Sequence, residues 1–268
     1  MPLFQAILLG ILQGATEFLP ISSSGHLVII PYLLGWSDPG LIMDTILHLG
    51  TSVAVILYFW QDIVRLVKAA WRSLHDRALV DSEARVAWAI MIGTIPAAII
   101  GFLLEDTFER WFGMPKAAAG FLLGTAALLI ISEYLGTRER TIESIQWQDA
   151  LLIGLGQAMA IAPGLSRSGS TISAGLLLGY HRESAARFSF LLSIPIILGS
   201  GAYQFLKVLR GGMQPTQITT LIIGFIAAAV TGYLAIAILL ALIKRQGLWP
   251  FALYCALLGT LVLTGVVG

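Results

Sequence analysis

The sequence predicts an all-α polytopic membrane protein, with six transmembrane helices plus two re-entrant helix hairpins in an inverted repeat. Three observations carry this expectation: the scarcity of charge, the length of the apolar runs, and two polar clusters that interrupt otherwise apolar segments. Of 268 residues, 57% are hydrophobic and only 12% are charged, where a soluble domain carries about 25% charge. Mean hydropathy is +0.86. So few charges could not cover a soluble domain of this length, which argues against an ordinary cytosolic enzyme and a disordered chain. The net charge of +1 supplies no basic field for nucleic acid, so none is expected as a partner. A single cysteine, Cys255, leaves no internal disulfide framework and no paired-cysteine metal site. The apolar runs are continuous rather than alternating, which disfavours a β-barrel.

A membrane-crossing helix needs about 20 mostly apolar residues. The first segment, Met1–Gly40, is apolar but is broken by Pro20-Ile-Ser-Ser-Ser-Gly-His26, and each half is too short to cross. Leu41–Trp60 is the first predicted span. Trp60–Arg85 is amphipathic, and its Trp60, Trp71 and basic residues read as interfacial anchors. Arg85–Leu104 and Ala117–Leu135 are the next two spans. Trp147–Tyr180 repeats the first pattern, broken by Pro163-Gly-Leu-Ser-Arg-Ser-Gly-Ser170. Phe188–Leu206, Gln217–Leu242 and Trp249–Val267 complete the six. Broken backbone at membrane depth is tolerated where it lines a protein cavity, so both interrupted segments read as re-entrant hairpins.

Sidedness follows from Lys and Arg. One side receives Arg65, Lys68, Arg72, Arg77, Arg85, Arg138, Arg140, Arg182, Arg187, Lys244 and Arg245; the other receives Arg110, Lys116, Lys207 and Arg210. The richer side is expected to be cytoplasmic, which puts both termini on the outer side of the membrane. No Lys or Arg precedes Arg65, so the basic start of a cleaved signal peptide is lacking. Shifting the chain by 144 residues places Gly10 on Gly154, Gln13 on Gln157, Ser22 on Ser166, Ser24 on Ser168, Gly25 on Gly169 and Gly35 on Gly179. Each hairpin precedes three spans, an odd number, so the second copy is inverted. The repeats cover approximately 1–135 and 147–268 within one membrane domain, 1–268. Inverted repeats bring broken helices together near the midplane, where a site forms.

The candidate site residues lie in the two breaks. Gln13 and Glu17 are four apart and share a helix face. A carboxylate at membrane depth is costly unless paired or metal-bound, and Glu17 is also the candidate metal ligand. Ser22, Ser23, Ser24 and Gly25 open a helix whose N-terminus, with three hydroxyls, suits an anion. His26 follows as a candidate acid, base or ligand. Ser166, Ser168 and Gly169 repeat the anion site, and Arg167 adds a bidentate partner for phosphate that should face Glu17. Gln157, the counterpart of Gln13, is a candidate lining residue. Asp44 and His48 read as supporting or interfacial groups, and Glu133 as snorkelling or locally paired. Together these residues are equipment for phosphoryl chemistry in a lipid-accessible pocket.

Gln13-Gly-Ala-Thr-Glu17-Phe-Leu-Pro20-Ile-Ser-Ser-Ser-Gly-His26 resembles one signature of the undecaprenyl-diphosphate phosphatases, the bacitracin-resistance family. Pro163-Gly-Leu-Ser-Arg-Ser-Gly169-Ser-Thr171 resembles the second, and length, hydropathy and spacing agree along the whole chain. Gln13 stands where some members carry Glu, which puts the main load on Glu17. The resemblance implies hydrolysis of undecaprenyl diphosphate to undecaprenyl phosphate and phosphate. That reaction recycles the lipid carrier of peptidoglycan synthesis and confers bacitracin resistance. It also implies a divalent cation, Mg²⁺ or Ca²⁺, and a catalytic core of Glu17, His26, Arg167 and Ser23. Substrate-binding positions would be Gln13, Ser22, Ser24, Gly25, Ser166, Ser168, Gly169 and Gln157. The attacking group stays open between water, Ser23 and His26, with participation of His26 slightly favoured. The expected partners are a polyprenyl diphosphate and the bilayer, with a homodimer left open. A transporter or flippase of a polyprenyl phosphate lipid is the competing class, because inverted repeats with broken helices are also a transporter design. A non-catalytic scaffold would not need buried ionisable groups.

Overall fold

The computed structural model describes residues 1–37, 39–77, 81–211 and 218–266, with backbone alone at Leu41, Asp106, Glu109 and 204–211. The chain is built from α1 (Leu3–Phe18), α2 (Ser23–Leu33), α3 (Gly40–Tyr58), α4 (Trp60–Asp76), α5 (Ser82–Leu103), α6 (Glu105–Phe112) and α7 (Pro115–Leu135). A 3₁₀ turn at Ile142–Ser144 leads to α8 (Trp147–Met159), α9 (Arg167–Leu177), α10 (Arg182–Gly211), α11 (Ile218–Gln246) and α12 (Trp249–Leu263). Local chemistry sets several starts. The Asp81 carboxylate accepts the Glu83 N–H at 3.1 Å at the head of α5. Pro115 opens α7. Gln146 and Asp149 form a reciprocal capping box on α8.

Four helical segments are long and apolar enough to cross a bilayer: Ser82–Leu103, Pro115–Leu135, Arg182–Tyr203 and Ile218–Gln246. They match four of the six expected spans within a few residues. The expected Leu41–Trp60 span is α3, which turns by 77° into α4 at Phe59. The expected Trp249–Val267 span is a shorter apolar helix of 15 residues that stops at Leu263. At 1.5 Å per residue it reaches about 22 Å, less than a hydrocarbon core of about 30 Å. Gln217 and Val267, ends of two expected spans, lie outside the described residues, and the side chains of Lys207 and Arg210 are not described. Leu57, Phe102, Leu253 and Leu257 are each more than half exposed. Apolar surface of this kind belongs against lipid, and the protein is a multi-pass membrane protein.

Both interrupted segments are broken helices. The first, α1–α2, breaks at 19–22, and the second, α8–α9, breaks at 160–166. Each is held by close backbone approach to a span. A Cβ on Gly10 would fall on the Gly224 carbonyl of α11, and one on Gly154 would fall on Gly93 of α5. Gly164 has a φ of +102°, and a Cβ there would strike the Ala118 carbonyl of α7, so only glycine fits. The main core runs through Phe18, Ile29, Leu122, Leu129, Phe190, Leu192 and Ile236, and a smaller cluster joins Leu9, Leu27, Met43 and Leu47.

Charged residues tie the chain together at one end of the bundle. Glu133 is buried, as local pairing requires. It accepts hydrogen bonds from Arg138 at 3.0 Å, from Arg182, and from the Leu248 N–H at 3.2 Å. Asp149 at the head of α8 accepts from Arg140 at 2.6 Å and from the Tyr180 hydroxyl at 2.7 Å. Arg140 also lies over the Tyr180 ring, 4.4 Å from its centroid. Burial first, and then the Asp149 carboxylate, push the Tyr180 phenol above its ordinary range, so it stays a donor. These contacts pin both feet of the second broken helix.

Candidate active site

The two breaks meet. Each second half-helix begins with a serine N-cap: Ser22 Oγ accepts the Gly25 N–H at 3.2 Å, and Ser166 Oγ accepts the Gly169 N–H at 3.0 Å. Behind each cap a second serine sits close, Ser24 at 3.3 Å from Ser22 and Ser168 at 3.2 Å from Ser166. Cross-links join the tips. Gly164 N–H donates to Ser22 Oγ at 3.1 Å, and Ser168 Oγ donates to the Leu19 carbonyl at 3.0 Å. Thr125 of α7 braces the second tip: its hydroxyl donates to the Gly164 carbonyl and accepts the Ser166 N–H, both at 2.9 Å. Two helix N-termini, each with a partial positive charge, therefore meet at one place.

Glu17 lies at that junction, 6% exposed. Arg167 Nη2 donates to its Oε1 at 2.7 Å, the pairing expected from the sequence. Gln13 Nε2 donates to Oε2 at 2.9 Å, and Ser23 Oγ donates to the same oxygen. His48 Nε2 stands 3.8 Å from Oε2, which makes His48 a neighbour of the carboxylate. Its Nδ1 bonds the Asp44 carbonyl at 2.8 Å, so Asp44 reaches the cluster through its backbone. A carboxylate removed from water is strongly unfavourable alone, and this shell of one cation and two neutral donors compensates it.

His26 does not touch Glu17. Its Nδ1 lies 2.7 Å from the Ser22 carbonyl, so Nδ1–H donates, and a neutral ring then accepts the Tyr254 hydroxyl at Nε2, also at 2.7 Å. The two rings stack with an interplanar angle of 8°. Ser22 makes this possible by adopting a φ of +69°, a left-handed conformation rare for serine. Such a conformation costs on the order of 1–3 kcal/mol and persists only where its surroundings enforce it. Tyr254 and Thr125 were not legible as site residues, because each stands alone in an apolar span with no spacing signal. Gln157 is 2% exposed, and its amide makes no hydrogen bond. It is buried but is not bonded into the Glu17 cluster.

Among the described residues, no three His, Cys, Asp or Glu side chains form a metal-holding group. The carboxylate and side-chain amide oxygens at the junction are those of Glu17 and Gln13, and Gln13 Oε1 is buried without a hydrogen-bond partner. Such a sparse oxygen set fits a hard divalent cation that takes its remaining ligands from water and phosphate.

Comparison with known proteins agrees along almost the whole chain. The family described as "Bacitracin resistance protein BacA" matches residues 6–261. A protein of Geotalea daltonii named undecaprenyl-diphosphatase is 45% identical over 264 residues, covering 98% of each chain. Proteins of the same name from Thermomicrobium roseum and Methanosphaera stadtmanae are 43% and 44% identical, covering 98% and 99% of each chain. A buried Glu–Arg pair at two joined helix tips, on a chain matched nearly end to end, leaves one conclusion about descent: this protein belongs to the bacitracin resistance protein BacA family.

Proposed function

We propose that the protein is an undecaprenyl-diphosphatase: undecaprenyl diphosphate and water give undecaprenyl phosphate and inorganic phosphate. The family, and the printed name of relatives at 43–45% identity, support the reaction. It recycles the lipid carrier of peptidoglycan synthesis and thereby confers bacitracin resistance. The observation that carries the site assignment is the Glu17–Arg167 pair at the meeting of two helix N-termini.

In this reading Arg167 and the capped N-termini of α2 and α9 hold the terminal phosphate. Ser23 is the nucleophile. Its hydroxyl already donates to Glu17, which takes the proton as Oγ attacks phosphorus. The bond from that phosphorus to the bridging oxygen breaks, and undecaprenyl phosphate leaves with the electron pair and takes the proton from Glu17, which restores the carboxylate. Glu17 then deprotonates water as it attacks the phosphoserine; the phosphorus–Oγ bond breaks, phosphate leaves, and the proton returns to Ser23 Oγ. His26 is less suited to attack, because the Ser22 carbonyl and Tyr254 occupy both ring nitrogens. Its part is to fix the Ser22 loop, with Tyr254 as a positioning residue. Mg²⁺ or Ca²⁺ held by Glu17 and Gln13 would neutralise charge on the diphosphate.

The same reading places six spans and two re-entrant hairpins in a plasma membrane, as inverted repeats over about 1–135 and 147–268. The arginine-rich end faces the cytoplasm and the termini face outward. It is supported by matched caps, matched glycine approaches and the Lys/Arg asymmetry. The test is phosphate release in detergent from a short-chain prenyl diphosphate, with and without chelator. Hydrolysis needs no second compartment, whereas transport does. Release that survives both Glu17→Gln and Arg167→Ala would overturn the site. Rapid quenching that traps phosphoserine in wild type but not in Ser23→Ala would support the nucleophile.

A further inference from the structure

Helix α4 has three distinct faces. One packs on α5: Ala69 is 1% exposed, and Trp88 Nε1 of α5 donates to Ser73 Oγ at 2.9 Å. A second is apolar and bare: Trp60, Val67, Trp71 and Leu74 are 57%, 63%, 72% and 60% exposed. Their spacing of seven, four and three residues keeps them on one stripe. Between these faces runs a third stripe, Arg65, Lys68 and Arg72, with its members three and four residues apart. The helix turns 77° away from α3. If α3 stands along the membrane normal, α4 lies close to the membrane plane. The basic stripe then falls at headgroup depth, beside an apolar stripe that dips into the acyl region.

A groove of about 510 Å³ opens along this edge, lined by Arg65, Val67, Lys68, Trp71, Arg72 and Glu83. The acidic neighbours pair two of its three cations and leave the third. Arg65 is shared between Asp62 and Glu83, the latter at 3.9 Å, and Arg72 pairs with Asp81 at 3.0 Å. Lys68 makes no ion pair among the described residues. Its ammonium therefore faces the groove with a guanidinium one helical turn to either side. We propose that this groove binds the headgroup of an anionic phospholipid. The phosphodiester sits against Lys68 and Arg72, and the acyl chains run beside Val67 and Trp71. The charge arrangement selects a net negative lipid, because a zwitterionic headgroup would bring its own cation against the basic stripe. This site is separate from the Glu17 cluster and does not depend on the phosphatase reading.

The test uses the full chain in detergent micelles carrying equal amounts of phosphatidylglycerol and phosphatidylcholine, with retained lipid counted by native mass spectrometry. Wild type is expected to retain phosphatidylglycerol preferentially. One basic residue near a charged surface contributes about fivefold, so Lys68→Gln should reduce that retention about fivefold and Lys68→Gln/Arg72→Gln further. Trp71→Ala should reduce retention of both lipids. All three side chains are exposed, so these variants keep the fold. Lys116→Gln, an exposed charge at the start of α7, should change nothing. Equal retention of the two lipids by wild type would overturn the proposal. So would undiminished retention by the double variant, or an equal loss in Lys116→Gln.

Discussion

The two broken helices share a scaffold and divide the chemistry. In each, a serine caps the second half-helix, a second serine lies behind the cap, and a glycine presses on the backbone of a span. Laid over one another with the 144-residue shift, Ile161 falls on Glu17 and Arg167 falls on Ser23. The first tip thus brings the acid and the hydroxyl, and the second brings the cation. Neither tip alone is a site. The feet also differ. The second broken helix is pinned by the Arg140–Asp149–Tyr180 cluster, whereas the first has the edge-on contact of Phe4 with Trp36, centroids 6.0 Å apart. Ionic anchoring at one foot and an aromatic contact at the other thus fix the same broken-helix scaffold by different chemistry.

The largest expected effect strikes the point where the tips are complementary. Glu17→Gln should lower kcat by about three orders of magnitude, as loss of an essential base or charge does. Arg167→Ala should do the same with a higher KM, both read as phosphate release. Next, the two glutamines separate chemistry from scaffold. Gln13 bonds Glu17, but Gln157 has Ile161 four residues on and no partner for its amide. Gln13→Leu should cost about tenfold or more in kcat. Gln157→Leu should keep activity and leave thermal stability unchanged or raised, since an unsatisfied buried amide costs about 1–3 kcal/mol. Asp149→Asn should destabilise by about 2–3 kcal/mol in detergent unfolding, because Arg140 and Tyr180 lose a shared acceptor. It should spare the chemistry, and an equal loss from a change at Trp36 would erase the contrast between the feet. Among the variants expected to slow the reaction, the smallest effect falls on Tyr254→Phe: one hydrogen bond to His26 lost, roughly tenfold in kcat, with the fold unchanged.

Much of this was legible beforehand for a physical reason. Charge is so unfavourable in lipid that Glu17 and Arg167 stand out in a chain with 12% charged residues. Four spans were readable from length and hydropathy. Both breaks were readable from Pro, Gly and Ser, because those residues end helices through their own backbone chemistry. The end of α3 near Trp60 and the amphipathic segment after it were readable too, but the 77° angle between α3 and α4 was not, since no local residue type sets it. Nor were the partners of His26. Tyr254 lies 228 residues away, in a helix whose apolar composition says only that it is buried in lipid or protein. Contacts set by fold geometry leave no local trace.

The 150-residue separation of Glu17 and Arg167 has a consequence for biogenesis. The acid leaves the ribosome first, and at about 5–20 residues per second its counterion follows roughly 8–30 s later. Throughout that interval Glu17 has its neutral donors Gln13 and Ser23 but no guanidinium, and the Ser22 cap lacks the Gly164 amide. Seating the first tip away from water is therefore more favourable once the second tip supplies both. One ion pair thus couples the membrane seating of two distant parts of the chain.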